Sequence, residues 1–469
     1  MPRFEINEAP AAQLAKKNKE NTPDPFGLKH KDPALSAGHF AKLNFGFLII
    51  TAIIVIMAQF YPEIEFWLIP LLIICSLQGL FYWAGLYISM KSPKRSEWGD
   101  PLLDNELPII TLIVPVYNEA NMMPQIRQML RRLNYPTDKL EILILNELHD
   151  SATREAFFQL DWPSHVRLFV VPPGAPQTKA RACNFGLFEA CGSITGIIDA
   201  EDWPHPDQLF EVAHRFHTAP MTCAGFQAPL VIKPRSDKIL QSLFALEYHI
   251  LFRFLLPAWI VLGAPAPLSG SANFFRTDIL KQLGGWDKFN LTEDADIGIR
   301  FKRFGYSLGM LDTGSLENAP NNFKDWFWQR TRWSSGHFQT LMVHIRHPKR
   351  LCAEIGLLSL MLFIASFGAR VVTGIAGLML ILVFSIDERG LITYLLTSPI
   401  GQLSLFTYSG RIACYITIAI TGVPYVNRIT VLLLPIYWLL QIPPSLWGIS
   451  LAIFRCFKWH KTPHEPYLP

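Results

Sequence analysis

Two uncharged runs, Leu43–Tyr61 and Phe66–Met90, lie close together near the start of the chain, parted by Pro62-Glu63-Ile64-Glu65. Each is long enough to cross a bilayer, which takes about 20 apolar residues as a helix. Inside hydrocarbon every backbone amide and carbonyl must be bonded within the chain, so the two runs are expected as a transmembrane helical hairpin over 43–90. Lys91, Lys94 and Arg95 follow, and basic residues favour the cytoplasmic side, which places residue 91 onward in the cytoplasm. The balance of residues agrees: half are hydrophobic and 17% charged, against about 25% in soluble domains. Residues 1–42 are polar and proline-spotted and are expected as a cytosolic arm.

From about 100 to 350 the pattern changes. Short β-branched runs alternate with helical stretches. Ile109–Val116, Leu140–Leu145, Val166–Val171 and Ser193–Asp199 read as strands, Glu119–Leu133 and Thr178–Ala190 as helices. That alternation predicts an α/β domain with a mostly parallel, doubly wound sheet, inserted between helical membrane segments. Ligands of such sheets bind beyond the carboxyl ends of the strands. Ile239–Ile260 is apolar but holds Glu247, His249 and Arg253, which predicts an amphipathic helix on the membrane surface. Residues 351–456 are membrane-like again: Ile355–Ile386 carries Arg370, and further apolar stretches cover about 391–423 and 429–454. Four passes are expected there, with 457–469 as a basic cytosolic tail. The net charge of +4 is small, so nucleic acid is not an expected partner. The seven cysteines form no C-x-x-C pair, which argues against a disulfide or metal framework.

The polar residues at the predicted strand ends carry the chemistry. Glu119 follows the first strand in Val114-Pro-Val-Tyr-Asn-Glu119, either as a ligand carboxylate or as an ordinary strand end. Asn146–Thr153 follows the second; Asp150 could accept hydrogen bonds from a base or ribose, or cap a helix. Lys179 and Arg181 open a helix, where a basic residue suits a diphosphate or is solvated surface charge. Asp199, Glu201 and Asp202 crowd one strand tip, with no counter-charge close by in sequence. A hard divalent cation shared with substrate phosphates, or a cluster of helix caps, would explain them. Leu291-Thr-Glu-Asp-Ala-Asp-Ile-Gly298 offers a general base, or a capping box built on Thr292 and Glu293. In Asp325-Trp-Phe-Trp-Gln-Arg-Thr-Arg-Trp333, Trp326, Phe327 and Trp328 suit interface anchors. Gln329, Arg332 and Trp333 lie on adjacent turns of a helix and suit a site: arginine forks onto phosphate and tryptophan offers a flat face.

In this order and spacing the motifs resemble family 2 glycosyltransferases over residues 100–345, closest to the membrane-embedded, cellulose-synthase-like branch. The aspartate-rich strand end, the Thr292-Glu293-Asp294 triplet and Gln329-x-x-Arg332-Trp333 carry the likeness. Trp459–His464 is similar to a tail of bacterial members. The resemblance implies a GT-A fold, Rossmann-like with a mostly parallel sheet, and interfacial helices near 239–260 and 323–345. It implies a membrane-embedded inverting hexosyltransferase of the inner or plasma membrane, its catalytic domain cytoplasmic. By the same likeness Asp294 is the catalytic base. Glu119, Asp150, Lys179 and Arg332 bind the nucleotide-sugar donor. Gln329, Trp333, Gly270, Ser271 and Glu293 meet the acceptor, and Asp199 and Glu201 hold Mg2+ or Mn2+. Two positions depart from the pattern: Glu201 replaces an aspartate, and His149 stands where an acid is usual. The implied reaction moves a sugar from UDP-glucose or a similar donor to a growing β-linked polysaccharide, processively and with export. The alternative is a single transfer to diacylglycerol or a polyprenyl phosphate. Membrane lipids are implied partners, and accessory export or regulatory subunits would fit as well.

Overall fold

The computed structural model describes residues 36–37, 64–91, 102–235, 238–368, 390–454 and 466. The run Leu43–Tyr61, Lys94 and Arg95, Arg370 and the Trp459–His464 motif lie outside them.

The continuous apolar runs become strands, those inside the sheet buried on both faces as parallel sheets require. They are β1 (Ile110–Val116), β2 (Leu140–Glu147), β3 (Val166–Val171) and β4 (Ile194–Ile197), and they lie parallel in the order β3-β2-β1-β4. The sheet is completed beyond β4. After β5 (Trp203–Pro204) come β6 (Cys223–Gln227) and β7 (Leu230–Ile232), then β8 (Asn273–Arg276), β9 (Ser307–Met310) and β10 (Ser315–Glu317). β8 runs antiparallel between β4 and β6, and β9 pairs parallel with β6. β5, β10 and β7 form a small second sheet. The chain leaves β1 toward β2 on one side and returns through β4 on the other. The carboxyl ends of β1 and β4 therefore border the switch point where a crevice opens.

Helices that carry or border this crevice include α1 (Ile64–Lys91), α2 (Lys179–Glu189), α3 (Ile239–Ile250), α4 (Glu293–Arg303), α5 (Phe323–His344), α6 (Pro399–Thr421) and α7 (Ile442–Phe454). α4 carries Glu293, Asp294 and Asp296 in its first turn and Arg300, Lys302 and Arg303 in its last, matching the helix dipole at both ends. α5 is capped by Asn322, whose side chain accepts from the Asp325 amide at 2.9 Å. α1 and α6 approach through small residues. A Cβ on Gly79 would stand 2.6 Å from the Thr407 carbonyl oxygen, and the Ser76 and Thr407 hydroxyls are 2.8 Å apart. α7 packs along α5 in the same way, with a Cβ on Gly448 reaching within 2.5 Å of the Thr331 carbonyl.

Among the described residues four helices are long and apolar enough to cross a membrane, or five if a bent pair counts as one span. The bent pair covers the start of the apolar run Ile355–Ile386, whose residues 369–386 lie outside the described ones. Pro348–Ile355 and Leu357–Gly368 meet at 115°, because Gly356 between them takes a φ of +81° that ends the first helix. α3 and its continuation to Val261 pass the same test of length and hydropathy, yet 61% of that window is buried in protein. The cysteines among the described residues are all free.

The aromatic start of α5 needs a correction. Trp326 is not an interface anchor: it is fully buried, and its indole N–H donates to the Tyr437 hydroxyl at 3.1 Å. An indole that finds a buried partner has no need of the headgroup layer.

Candidate active site

One cavity of about 360 Å³ opens at the carboxyl ends of β1, β2 and β4 and continues between the apolar helices. Every residue given a site role by the resemblance lines it except Asp150. Asp150 caps the Ser151–Phe158 helix through the Thr153 amide, and its other oxygen takes the Asn118 amide at 2.5 Å. It thereby fixes the turn after β1 and holds Glu119 at the cavity wall. The acid that faces the cavity from β2 is Glu147, three residues earlier. Burial pushes its carboxyl up to about 7, with the Arg181 guanidinium opposing. Arg181 is fully buried, donating to the Pro172 carbonyl at 2.6 Å, and is no surface charge.

The acids after β4 do have a counter-charge, which sequence distance hid. The N-terminus of α2 abuts this strand end, and the Lys179 ammonium lies 2.5 and 2.7 Å from the two Asp199 oxygens and 2.7 Å from the Gly270 carbonyl. Asp202 turns inward and accepts from the Asp199 amide and the Ser271 hydroxyl. A further acid joins from the second sheet: Glu317, at the end of β10, lines the same cavity. Burial raises both Asp202 and Glu317 well above the usual carboxylate range, and their acidic neighbours add to it. Asp202 Oδ1 and Glu317 Oε2 are buried with no hydrogen-bond donor. Buried oxygens held this way suit a hard cation. Among the described residues no group of three His, Cys, Asp or Glu encloses an ion by itself. The fit is therefore to a cation held by one or two carboxylates and completed by substrate phosphate oxygens, the usual arrangement for Mg2+.

The triplet before α4 is fastened to α5. The Asn290 amide donates to Thr340 Oγ1 at 2.8 Å, Leu291 N–H to Gln339 Oε1 at 3.2 Å, and Arg332 Nη1 to the Leu291 carbonyl at 3.3 Å. Thr292 is the N-cap residue, but its side chain makes no capping bond, so the capping-box reading fails. It packs instead on Gly336 of α5, where a Cβ would be 2.6 Å from its side chain. Asp294 is left to face the cavity beside Gly270. Burial raises its carboxyl, while Lys179 and Arg332 pull it back down. Glu293 beside it is pushed up to about 7 by burial and by the Asp294 charge.

Gln329, Arg332 and Trp333 come from successive turns of α5 and meet the cavity together. Gln329 Oε1 is buried without a donor. The Trp333 ring lies 6.2 Å from Phe244 and 6.3 Å from Tyr248 of α3. Arg330 sets that ring: its guanidinium stands 4.6 Å over Trp333 and pairs with Glu247 of α3 at 2.6 Å and with the Tyr437 hydroxyl at 3.0 Å. Sequence reasoning missed Glu147, Glu317 and Arg330. The acid inside the apolar run of α3 was the available signal for Arg330, since a half-buried Glu247 among apolar residues calls for a cation.

Residues 194–446 match the family described as glycosyl transferase family group 2. The chain is 27% identical over 239 residues to a probable glycosyltransferase, YdaM, of Bacillus subtilis, covering 50% of this chain and 56% of that one. It is 26% identical over 291 residues to the beta-monoglucosyldiacylglycerol synthase of a Synechocystis species, covering 60% and 59%. The chain thus spans little more than half the length of these relatives. A solved structure of the mannosyltransferase PcManGT from Pyrobaculum calidifontis, in complex with GDP-Man and Mn2+, overlays 80% of this chain and 99% of that one. The TM-score is 0.49 and the identity 20%.

Proposed function

From its membership of glycosyl transferase family group 2, which makes the chain a glycosyltransferase, we propose that it adds sugars from a nucleotide-sugar donor, UDP-glucose or similar, to a β-linked saccharide at the membrane. Addition is processive and coupled to export. The observation that carries this is the continuity of one cavity. It passes from the strand ends, past Asp294 and Trp333, into the space between α1, α6 and α7. The catalytic domain faces the cytoplasm, where nucleotide sugars are made, and Lys91 at the end of α1 sits on that side.

In this reading Glu119 meets the nucleoside, and Asp150 positions the turn that carries it. Lys179 and Arg332 offset the diphosphate's charge as it departs. Asp294 takes the proton of the acceptor hydroxyl, whose oxygen attacks the anomeric carbon opposite the leaving group; one displacement inverts that centre. Trp333 stacks on the terminal acceptor sugar. Gln329, Glu293, Gly270 and Ser271 line its approach. Mg2+ or Mn2+ held by Asp199 and Glu201, with Glu317 adjacent, would supply further neutralisation of the diphosphate.

A second reading, single transfer to a lipid, is favoured by one feature. The far end of the cavity is walled by α1 and α6, helices apolar enough to span a membrane, yet presents Gln78, Tyr82 and Arg411. The Synechocystis relative is named for a glucosylated diacylglycerol. Incubating the full chain in membranes with radiolabelled UDP-glucose, UDP-N-acetylglucosamine and GDP-mannose separates the two. Polymer retained on sizing supports processive synthesis. Label confined to a solvent-extracted monoglycosylated lipid overturns it in favour of the second reading. No transfer from any of the donors overturns both.

A further inference from the structure

Among the described residues two arginines face the membrane half of the cavity, and a carboxylate pairs with one of them. Arg330 has Glu247 at 2.6 Å. Arg411 has Gln78 Oε1 at 2.5 Å and aromatic faces: Tyr82 at 5.2 Å, Tyr408 at 5.8 Å and Trp438 at 5.9 Å. Among the described residues no carboxylate pairs with it. It sits midway along α6, a 23-residue helix apolar enough to cross a membrane. An arginine at such depth is costly, and a function is the usual reason one is retained. Aromatic faces stabilise the guanidinium plane but accept none of its in-plane N–H groups. Gln78 takes one. The remaining donors border the cavity that also holds Asp294.

We propose that Arg411 binds a phosphate group of the acceptor lipid, so that the acceptor is a lipid phosphate or diphosphate and not a neutral diacylglycerol. The inference rests on the glycosyl-transfer reading of the shared cavity and specifies its acceptor. Three features select this ligand. The guanidinium fork matches phosphate oxygens in two-point geometry. A free anion gains little by entering a space walled by apolar helices, whereas a lipid brings its own phosphate to that depth. The Tyr82, Tyr408 and Trp438 rings give the site an amphipathic wall that suits a ligand with a polar head and an apolar tail. Arg411 comes from the apolar helix α6 and Asp294 from the first turn of α4, so in this proposal the reacting hydroxyl belongs to a sugar or spacer carried beyond the phosphate.

The test measures binding to the purified full chain in detergent, with saturating UDP occupying the donor end. Farnesyl diphosphate is the lipid-phosphate probe, inorganic diphosphate the free anion and dioctanoylglycerol the neutral lipid. Farnesyl diphosphate is expected to bind the natural chain and to bind Arg411→Gln at least about tenfold more weakly, the loss of a charge-assisted contact. Inorganic diphosphate and dioctanoylglycerol are expected to bind weakly and alike in both. Equal farnesyl diphosphate affinity in the two proteins overturns the proposal. So does dioctanoylglycerol or inorganic diphosphate binding the natural chain as tightly as farnesyl diphosphate. UDP binding reports folding of each variant. If Arg411→Gln does not fold, Arg411→Lys, which keeps the charge and loses the fork, decides: weaker binding supports the site and unchanged binding overturns it. Failure of the transferase reading would show separately, as absence of sugar transfer from every donor.

Discussion

The two ends of the cavity solve the burial of charge in opposite ways. At the strand ends, acids outnumber bases: Glu119, Glu147, Asp199, Glu201, Asp294 and Glu317 face Lys179 and Arg332. Several of these carboxyls are pushed upward by burial, and Asp199 leans on a lysine. At the helical end the charged groups are Arg330 and Arg411, set among tyrosines and tryptophans, with Glu247 the one acid between them. The acidic end can shed its charge by taking up protons. An arginine cannot shed its proton, so it needs a carboxylate, a ring face or a ligand. In the proposed reading the contrast puts proton transfer at the sheet and recognition of the acceptor's phosphate among the helices.

The hardest test of that division is Asp294→Asn, which removes the proposed base and leaves the shape. Turnover should fall by about 10²- to 10⁴-fold with UDP affinity retained, measured by transfer assay and nucleotide titration. Near-normal turnover would move the base elsewhere. Trp333→Ala removes the ring shared by both ends. A loss of about ten- to a hundredfold in kcat/KM is expected, with membrane insertion unchanged, from the apolar surface of a buried aromatic. Full activity would return Trp333 to an anchoring role. Arg330→Met strands Glu247 without its cation and should lower stability by about 1–3 kcal/mol in a thermal melt. The cost is below that of a fully buried pair because Glu247 keeps 33% of its side chain exposed.

Smaller effects probe the acidic end by pH. Burial raises Glu147 from 4.5 to about 7, so the folded protein holds that proton more tightly than the unfolded chain. The associated stability is present below 4.5 and is lost as pH rises through about 7. Glu147→Gln stays neutral, so its advantage over the natural chain should grow from about pH 5 to about pH 8, reaching at most about 3 kcal/mol. Arg332→Met removes one of the cations that hold Asp294 down, so the acidic limb of the pH–rate profile should move to higher pH. A limb that moves to lower pH, or stays, would separate Arg332 from the base.

How much of this was legible depended on how local the cause was. β1 to β3 follow from runs such as Ile110–Val116, because a strand buried on both faces must be apolar throughout and neighbouring residues decide that. The strand-end acids Asp199 and Glu201 and the α5 residues Gln329, Arg332 and Trp333 were legible as spaced motifs. Glu317 was not: it reaches the site only because β10 pairs with β7 and β5 in a separate sheet. Asp150 shows the converse, a residue of the right kind that the helix it caps holds outside the cavity.

By itself the sequence determined the apolar helices, the mostly parallel sheet and the family of chemistry. Those depend on residue type and on periodicity along the chain. Only the tertiary structure decided which charges meet: Lys179 with Asp199, Arg330 with Glu247 and Tyr437, and Arg411 with aromatic rings. Electrostatic pairing falls off over a few ångströms of space and is blind to distance along the chain, so only the folded chain could settle it.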